Sequence, residues 1–551
     1  ANTKTITDNN TTKQDLGLLA IGNGATAKHI QLGSNIKATS INITASAFFE
    51  PGAYTATLTA NGAPFTVSGT FTPATSTIEY APASTTGVTV TSTTYHHIIF
   101  NKTSNTFSLT TSGITTDTAN GGGDLTITAG TLDTVSGSNY PISVGGSWTN
   151  NGVFTANSGT VTFISVSSGE TLSGAMTGGN SFNNITFNGS GGEWTPGSAV
   201  NLNGDLTMTA GTLLGSQNIT VAGGDATGDG AITLTGGTFK VTSASGTGFG
   251  GATAWSFSSL NFGEGTDGAT TTATGSGGIT ASSVLIIDAT HTLDAGSKIW
   301  TLSGTTDPFV KTGTFTANTS TFQFTGNGAT NILATTYYNL QIFPGGATTH
   351  TLGAGTFTVN NNLDLGGNTN PASTVITATT NSPAVNVTGN LTLCATTCSN
   401  QMTFTKGGTI TLSGAINTKT LTDNNTTKQD LGDITIGNAT LAKTIQLGSS
   451  IKATSINITT NATLNANGTN TITLTGATTP FITTGAFTYS TSTVVFTGNA
   501  SFNIPATTYY NLTFSPTVVT IGKAYTFAGA LAVNNALDIN PDAGSALALT
   551  V

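Results

Sequence analysis

Few residues in this 551-residue chain have the types and spacing that chemistry needs. His96 and His97 are adjacent, just before Ile98, Ile99 and Phe100. Neighbouring imidazoles could ligate a metal, but another copy of the same stretch reads Tyr509-Tyr510 before Asn511 and Leu512. An aromatic position taken over by histidine is the better reading. Asp225 and Asp229, with Gly230 behind them, form a partial calcium candidate of two carboxylates and a glycine turn. The other ligands and the closing Glu of a full loop are missing, so a solvated loop between coils explains the run more simply. Cys394 and Cys398 are the only cysteines, and their closeness points to a local disulfide made in an oxidising compartment. A zinc site would need further His or Cys ligands that the neighbourhood does not supply.

Catalysis finds even less to work with. Glycoside hydrolysis needs two carboxylates at a set separation, and the 23 acidic residues are scattered without a cluster. Cleavage of acidic sugars by elimination needs a strong base beside cations. All 14 basic residues are lysine, and they too are scattered. No catalytic residue, cofactor or enzymatic activity is expected. Trp148, Trp194, Trp255 and Trp300 read as core or corner residues, although an exposed pair would make a sugar platform. Asn-x-Ser/Thr triplets such as Asn42, Asn184, Asn390, Asn457 and Asn511 follow from a chain rich in Asn and Thr.

The elements that must hold these residues are strands. Thr, Gly and Asn dominate, with about 120 threonines and 70 glycines, and all three are poor helix formers. Charged residues make up 7% of the chain, where a soluble domain carries roughly a quarter. A net charge of −9 without arginine excludes a phosphate-neutralising, nucleic-acid-binding surface. With 36% apolar residues the chain is no solvated, disordered tail. No run reaches the ~18–20 apolar residues of a membrane-spanning helix, so no membrane insertion is expected. As the chain does not open on methionine, the expectation is that a leader was removed or that the chain is a piece of something longer.

Internal repeats set the architecture. Asn2 to Thr44 returns at Asn417 to Thr459 with 34 of 43 positions identical. Phe309 to Leu340 returns, more loosely, at Phe481 to Leu512. A degenerate aromatic or isoleucine anchor recurs at Ile21, Phe100, Phe187, Phe262, Ile342, Ile436 and Phe514. A second series runs through Phe71, Phe154, Phe239, Phe315, Phe404 and Phe487. Both give a period of about 82 residues, and hence about seven copies.

Within the copies, apolar residues alternate as in half-buried strands. Val200, Leu202, Leu206 and Met208 share one spacing with Phe357, Val359, Leu363 and Leu365. Val385, Val387, Leu391 and Leu393 repeat it, as do Leu531, Val533, Leu537 and Ile539. The predicted core ladder is therefore Leu202, Leu206, Val359, Leu363, Val387, Leu391, Val533 and Leu537. The breaks at Asn203-Gly204, Asn360-Asn361, Thr388-Gly389 and Asn534-Asn535 hold residues that tolerate positive φ, as a sharp corner would need. Two short strands meeting at a corner describe part of a solenoid coil. About four coils per unit give on the order of 25 in all, and a rod of roughly 120 Å at one strand spacing per coil. Tandem antiparallel sandwiches would want two-residue hairpin turns and clear unit boundaries, which the sequence does not show.

The stretch from Ser147 to Phe163 (SWTNNGVFTANSGTVTF), followed by SFNNITF at Ser181 to Phe187, resembles the repeats of large bacterial cell-surface and adhesin-like proteins. So do TTYYNL at Thr335 and Thr507, and NGDLTMTAGTL from Asn203. The resemblance covers nearly the whole chain. It implies an all-β, right-handed parallel β-helix running through residues 1–551 as one continuous solenoid, without a separate globular domain. It also implies an extracellular or cell-surface location and a structural role, as the stalk of an adhesin or the subunit of a fibre. A glycan-binding surface protein is the alternative, and a carbohydrate-active enzyme a remoter one. The partners this reading allows are a glycan or host-surface ligand and further copies of the chain joined head to tail. The head-to-tail register would fall short of the repeat by about one coil.

Overall fold

A computed structural model describes all residues except 1–2, 244, 368–373, 396–401, 415–416, 517–522, 541–546 and 551. The chain is all-β, its parallel strands stacking into a β-solenoid of about 23 turns. The helical pieces among the described residues are two 3-10 turns, Ala119–Gly121 and Gly178–Asn180. The chain forms two compact units. One comprises Ala1–Ile279, Ile286–Leu293 and Lys311–Thr314; the other comprises Thr280–Leu285, Asp294–Val310 and Phe315–Val551.

Both units are built from the same coil. Paired strands are parallel and belong to successive coils, and coil length varies. Thr321 and Asn339 are equivalent across 18 residues, Asn390 and Thr420 across 30. Because the side-chain period in a strand is two, alternate residues of each strand face inward; most of these are apolar, so each coil caps the apolar layer of its neighbour. All seven anchor residues of the first series lie in strands and are at most 3% exposed. In the second series Phe154, Phe239 and Phe404 are buried, whereas Phe71, Phe315 and Phe487 are half-buried. Aromatic rings stack from coil to coil along this interior. In the first unit Phe163 and Phe187 lie 5.1 Å apart at 18°. In the second, Trp300 and Phe322 lie 5.8 Å apart at 15°.

The core ladder forms in three of its four segments. Leu202, Leu206, Val359, Leu363, Val387 and Leu391 are at most 3% exposed. The fourth segment departs from the expectation. Val533 is only half-buried and Leu537 is 51% exposed. Among the described residues their strand, Ala532–Ile539, is outermost in its sheet and pairs with Thr508–Phe514 alone, and no described layer covers its other side. An apolar pattern places a side chain on the inner face, but only the next coil removes it from water.

The corners also work differently from the expectation. None of the residues at the four breaks takes a positive φ. At the two breaks that contain glycine, it is close approach that favours the residue. A Cβ on Gly204 would meet Asn184 Oδ1 at 2.2 Å, and one on Gly389 would meet the Asn361 carbonyl at 2.3 Å. Positive φ occurs instead inside the strand Leu206–Gly215, at Gly211 (φ 83°), where the strand bulges over the coil below.

Candidate functional site

The polar residues that could do chemistry are mostly bonded from one coil to the next. At one corner of the coil a side-chain acceptor takes the backbone N–H of the equivalent residue in the next coil. In the first unit Asn184 accepts from Asp205 (2.8 Å), Asp205 from Asp225 (2.9 Å) and Asp225 from Gly248 (2.7 Å). In the second, Asn339 accepts from Asn362 (3.2 Å), Asn362 from Asn390 (3.1 Å) and Asn390 from Thr420 (2.9 Å). These bonds satisfy backbone donors that the turn withdraws from the sheet ladder.

The histidine pair belongs to this arrangement. His97 Nδ1 accepts the Asp124 backbone N–H at 3.0 Å, and Asp124 Oδ1 accepts that of Ser147 at 2.8 Å. An accepting Nδ1 places the proton of a neutral ring on Nε2. Burial and the adjacent His96 hold the His97 pKa below its ordinary value, as that role requires. Strand register puts His97 opposite Thr77, as Asn339 lies opposite Thr321 and Asn511 opposite Thr493. His97 therefore replaces an asparagine and His96 the second tyrosine of the pair, a shift of one residue from the sequence alignment. His96 is 2% exposed and its Nδ1 lies 2.8 Å from Asp117 Oδ1.

The calcium candidates are engaged with backbone as well. Asp225 Oδ1 holds the Gly248 N–H, and Asp229 Oδ1 holds the Ala252 N–H at 2.8 Å. Among the described residues no three His, Cys, Asp or Glu side chains converge as metal ligands. Cys394 is fully buried; Cys398, and with it the predicted pairing, lies outside the described residues. All four tryptophans are at most 1% exposed, so none offers a ring to a sugar. The side chains of Asn42, Asn184, Asn390 and Asn511 accept hydrogen bonds from neighbouring coils.

Two features escaped sequence reasoning. The first is a tyrosine clamp. The hydroxyls of Tyr95, Tyr337 and Tyr509 donate to the carbonyls four residues earlier, on Thr91 (2.8 Å), Leu333 (2.8 Å) and Pro505 (3.3 Å). The recurring TTY was its visible trace. Burial pushes all three hydroxyl pKa values up. The second is a buried polar chain across three coils. Thr247 and Thr271 hydroxyls lie 3.0 Å apart, Thr271 Oγ1 is 3.0 Å from His291 Nε2, and His291 Nδ1 is 2.9 Å from Asp267 Oδ2. Hydroxyl, imidazole and carboxylate in this order match a nucleophile, base and orienting group, yet Thr271 and His291 are both 0% exposed and no substrate atom can reach the hydroxyl. No sequence motif joins these residues, whose bonded pairs stand 20 to 24 positions apart.

No protein-family model, curated protein or solved structure matches the chain.

Proposed function

We propose that this chain is the structural body of an extracellular surface protein, the stalk of an adhesin or the subunit of a fibre. One observation carries the reading: the side chains best suited to bind or react are consumed in joining coils. The tryptophans are buried, the Asn and Asp side chains hold neighbouring backbone, and His97 does the work of an asparagine. A repetitive stack of this kind adds stability coil by coil, which suits a spacer. The likeness of its repeats to those of bacterial surface proteins supports the location. The test pairs a glycan array with a polysaccharide-cleavage panel, using the full chain. The expected result is no saturable binding and no cleavage; a hit in either replaces the structural reading with the corresponding one. Immunogold labelling of source cells should place the chain outside the envelope, and labelling confined to the cytoplasm would overturn the location.

A further inference from the structure

We infer that the first unit carries a calcium-class cation site where the chain leaves three stacked strands, Ile219–Val221, Thr238–Val241 and Trp255–Phe262. Val221, Val241 and Phe262 are equivalent positions in successive coils. The residues just beyond them surround a cavity of about 320 Å³ lined by Ala222, Thr242, Ser243, Glu264, Thr266 and Asp267. Its polar side chains are all oxygen donors, two carboxylates and three hydroxyls, and no lysine lines it. Thr242 and Ser243 are 5% and 2% exposed.

Asp267 makes this more than an acidic cluster. Its side chain is only 4% exposed. Oδ2 is taken by His291, whose ring is fixed in turn by Thr271, while Oδ1 has no hydrogen-bond partner. A buried carboxylate oxygen left unpaired is costly. A carboxylate oriented through one oxygen by a histidine and free at the other is preorganised for a ligand of opposite charge. Two carboxylates without a lysine partner call for a divalent ion, and an all-oxygen donor set with room for water suits calcium. This donor set is independent of Asp225 and Asp229. A cation here would staple the loops of two successive coils, those carrying Thr242 and Ser243 and those carrying Glu264, Thr266 and Asp267.

Calorimetric titration of calcium chloride into the chelator-treated full chain tests this. The expected result is one ion per chain, with a dissociation constant of about 0.1–1 mM, the range of extracellular calcium modules. Glu264→Gln and Asp267→Asn should each weaken binding at least about tenfold, while Asp225→Asn leaves it unchanged. Asp267→Asn also alters the acceptor of His291, so Glu264→Gln, on an exposed side chain, carries the decision. Absence of binding at 10 mM calcium, full affinity in Glu264→Gln, or loss in Asp225→Asn would each overturn the site.

Discussion

The segment Asn2 to Thr44 and its repeat at Asn417 to Thr459 hold nearly the same sequence in different surroundings. Both fold their DNNTTKQ loop alike. Asp8 and Asp423 each accept two backbone N–H groups, from Asn10 and Gln14 (2.9 Å each) and from Asn425 and Gln429 (2.9 and 2.7 Å). Lys13 and Lys428 each plug their loop, donating to two carbonyls at 2.6–2.8 Å. The loop is thus a local product of its own residues. What differs is the layer beneath. The strand Thr3–Ile6 is the edge of its sheet, whereas Lys419–Asp423 is paired on both sides. Leu16 is 40% exposed and its counterpart Leu431 is buried. Only in the second copy do the loop amides reach back: Asn424 donates to the Cys394 carbonyl, Asn425 accepts from Met402 N–H, and Gln429 accepts from Phe404 N–H. Lys406 adds an ion pair to Asp430 at 2.9 Å. Burial raises the Asp430 pKa, but Lys406, Thr475 and the Gly432 N–H outweigh it and hold the carboxyl below its ordinary value. Local sequence makes the coil, and stacking sets how much each residue contributes.

Covered and edge positions should therefore respond differently to the same change. The largest contrast is Leu391→Asp against Leu537→Asp. At the covered site the carboxylate enters the core without a partner, a cost of several kcal/mol. At the half-exposed edge the cost should stay near 0.5 kcal/mol. Limited proteolysis reads this, with new cleavage near Leu391 only; equal sensitivity at both sites would break the comparison. Next comes Leu431→Ala, expected to cost about 2–5 kcal/mol, against Leu16→Ala within about 0.5 kcal/mol. Hydrogen exchange in Asp433–Ile436 and in Leu18–Ile21 measures each copy separately.

Acid provides a third contrast. His350 lies between Thr330 and Ile376 in the stack, fully buried, with neither ring nitrogen hydrogen-bonded, and burial lowers its pKa to about 4. The folded state keeps the ring neutral while the unfolded chain protonates near 6.5. Stability from this residue is complete above pH 6.5, falls as pH drops towards 4, and levels off below. The loss is at most about 3 kcal/mol. His350→Phe should flatten that part of the pH profile in hydrogen exchange around Thr349–Leu352; an unchanged profile would count against a neutral buried ring. The edge residue His29 is instead one-third exposed and lies 3.0 Å from Glu50. The smallest contrast is Gln429→Ala, which strands the Phe404 N–H and should cost about 1–2 kcal/mol. Gln14→Ala leaves no such donor and should cost almost nothing. Exchange of the Phe404 amide decides between them.

Much of the architecture was legible because a strand's side-chain period is two and a coil repeats. The anchors from Ile21 to Phe514 and the ladder from Leu202 to Leu391 were readable as alternation, and stacking like on like buries them. The burial of Trp148, Trp194, Trp255 and Trp300 followed from the same rule. The sequence by itself determined the coil, its inward residues and the closed DNNTTKQ loop, since those depend on residues close along the chain. Tertiary structure alone decided what depends on the layer above or below. It left Leu537 uncovered, filled an asparagine slot with His97, and favoured Gly204 for close approach rather than for its φ. It also brought Asp267, Thr271 and His291 together from neighbouring coils. Coil length varies from 18 to 30 residues, so no fixed spacing along the chain marks which polar residues will meet across a stack.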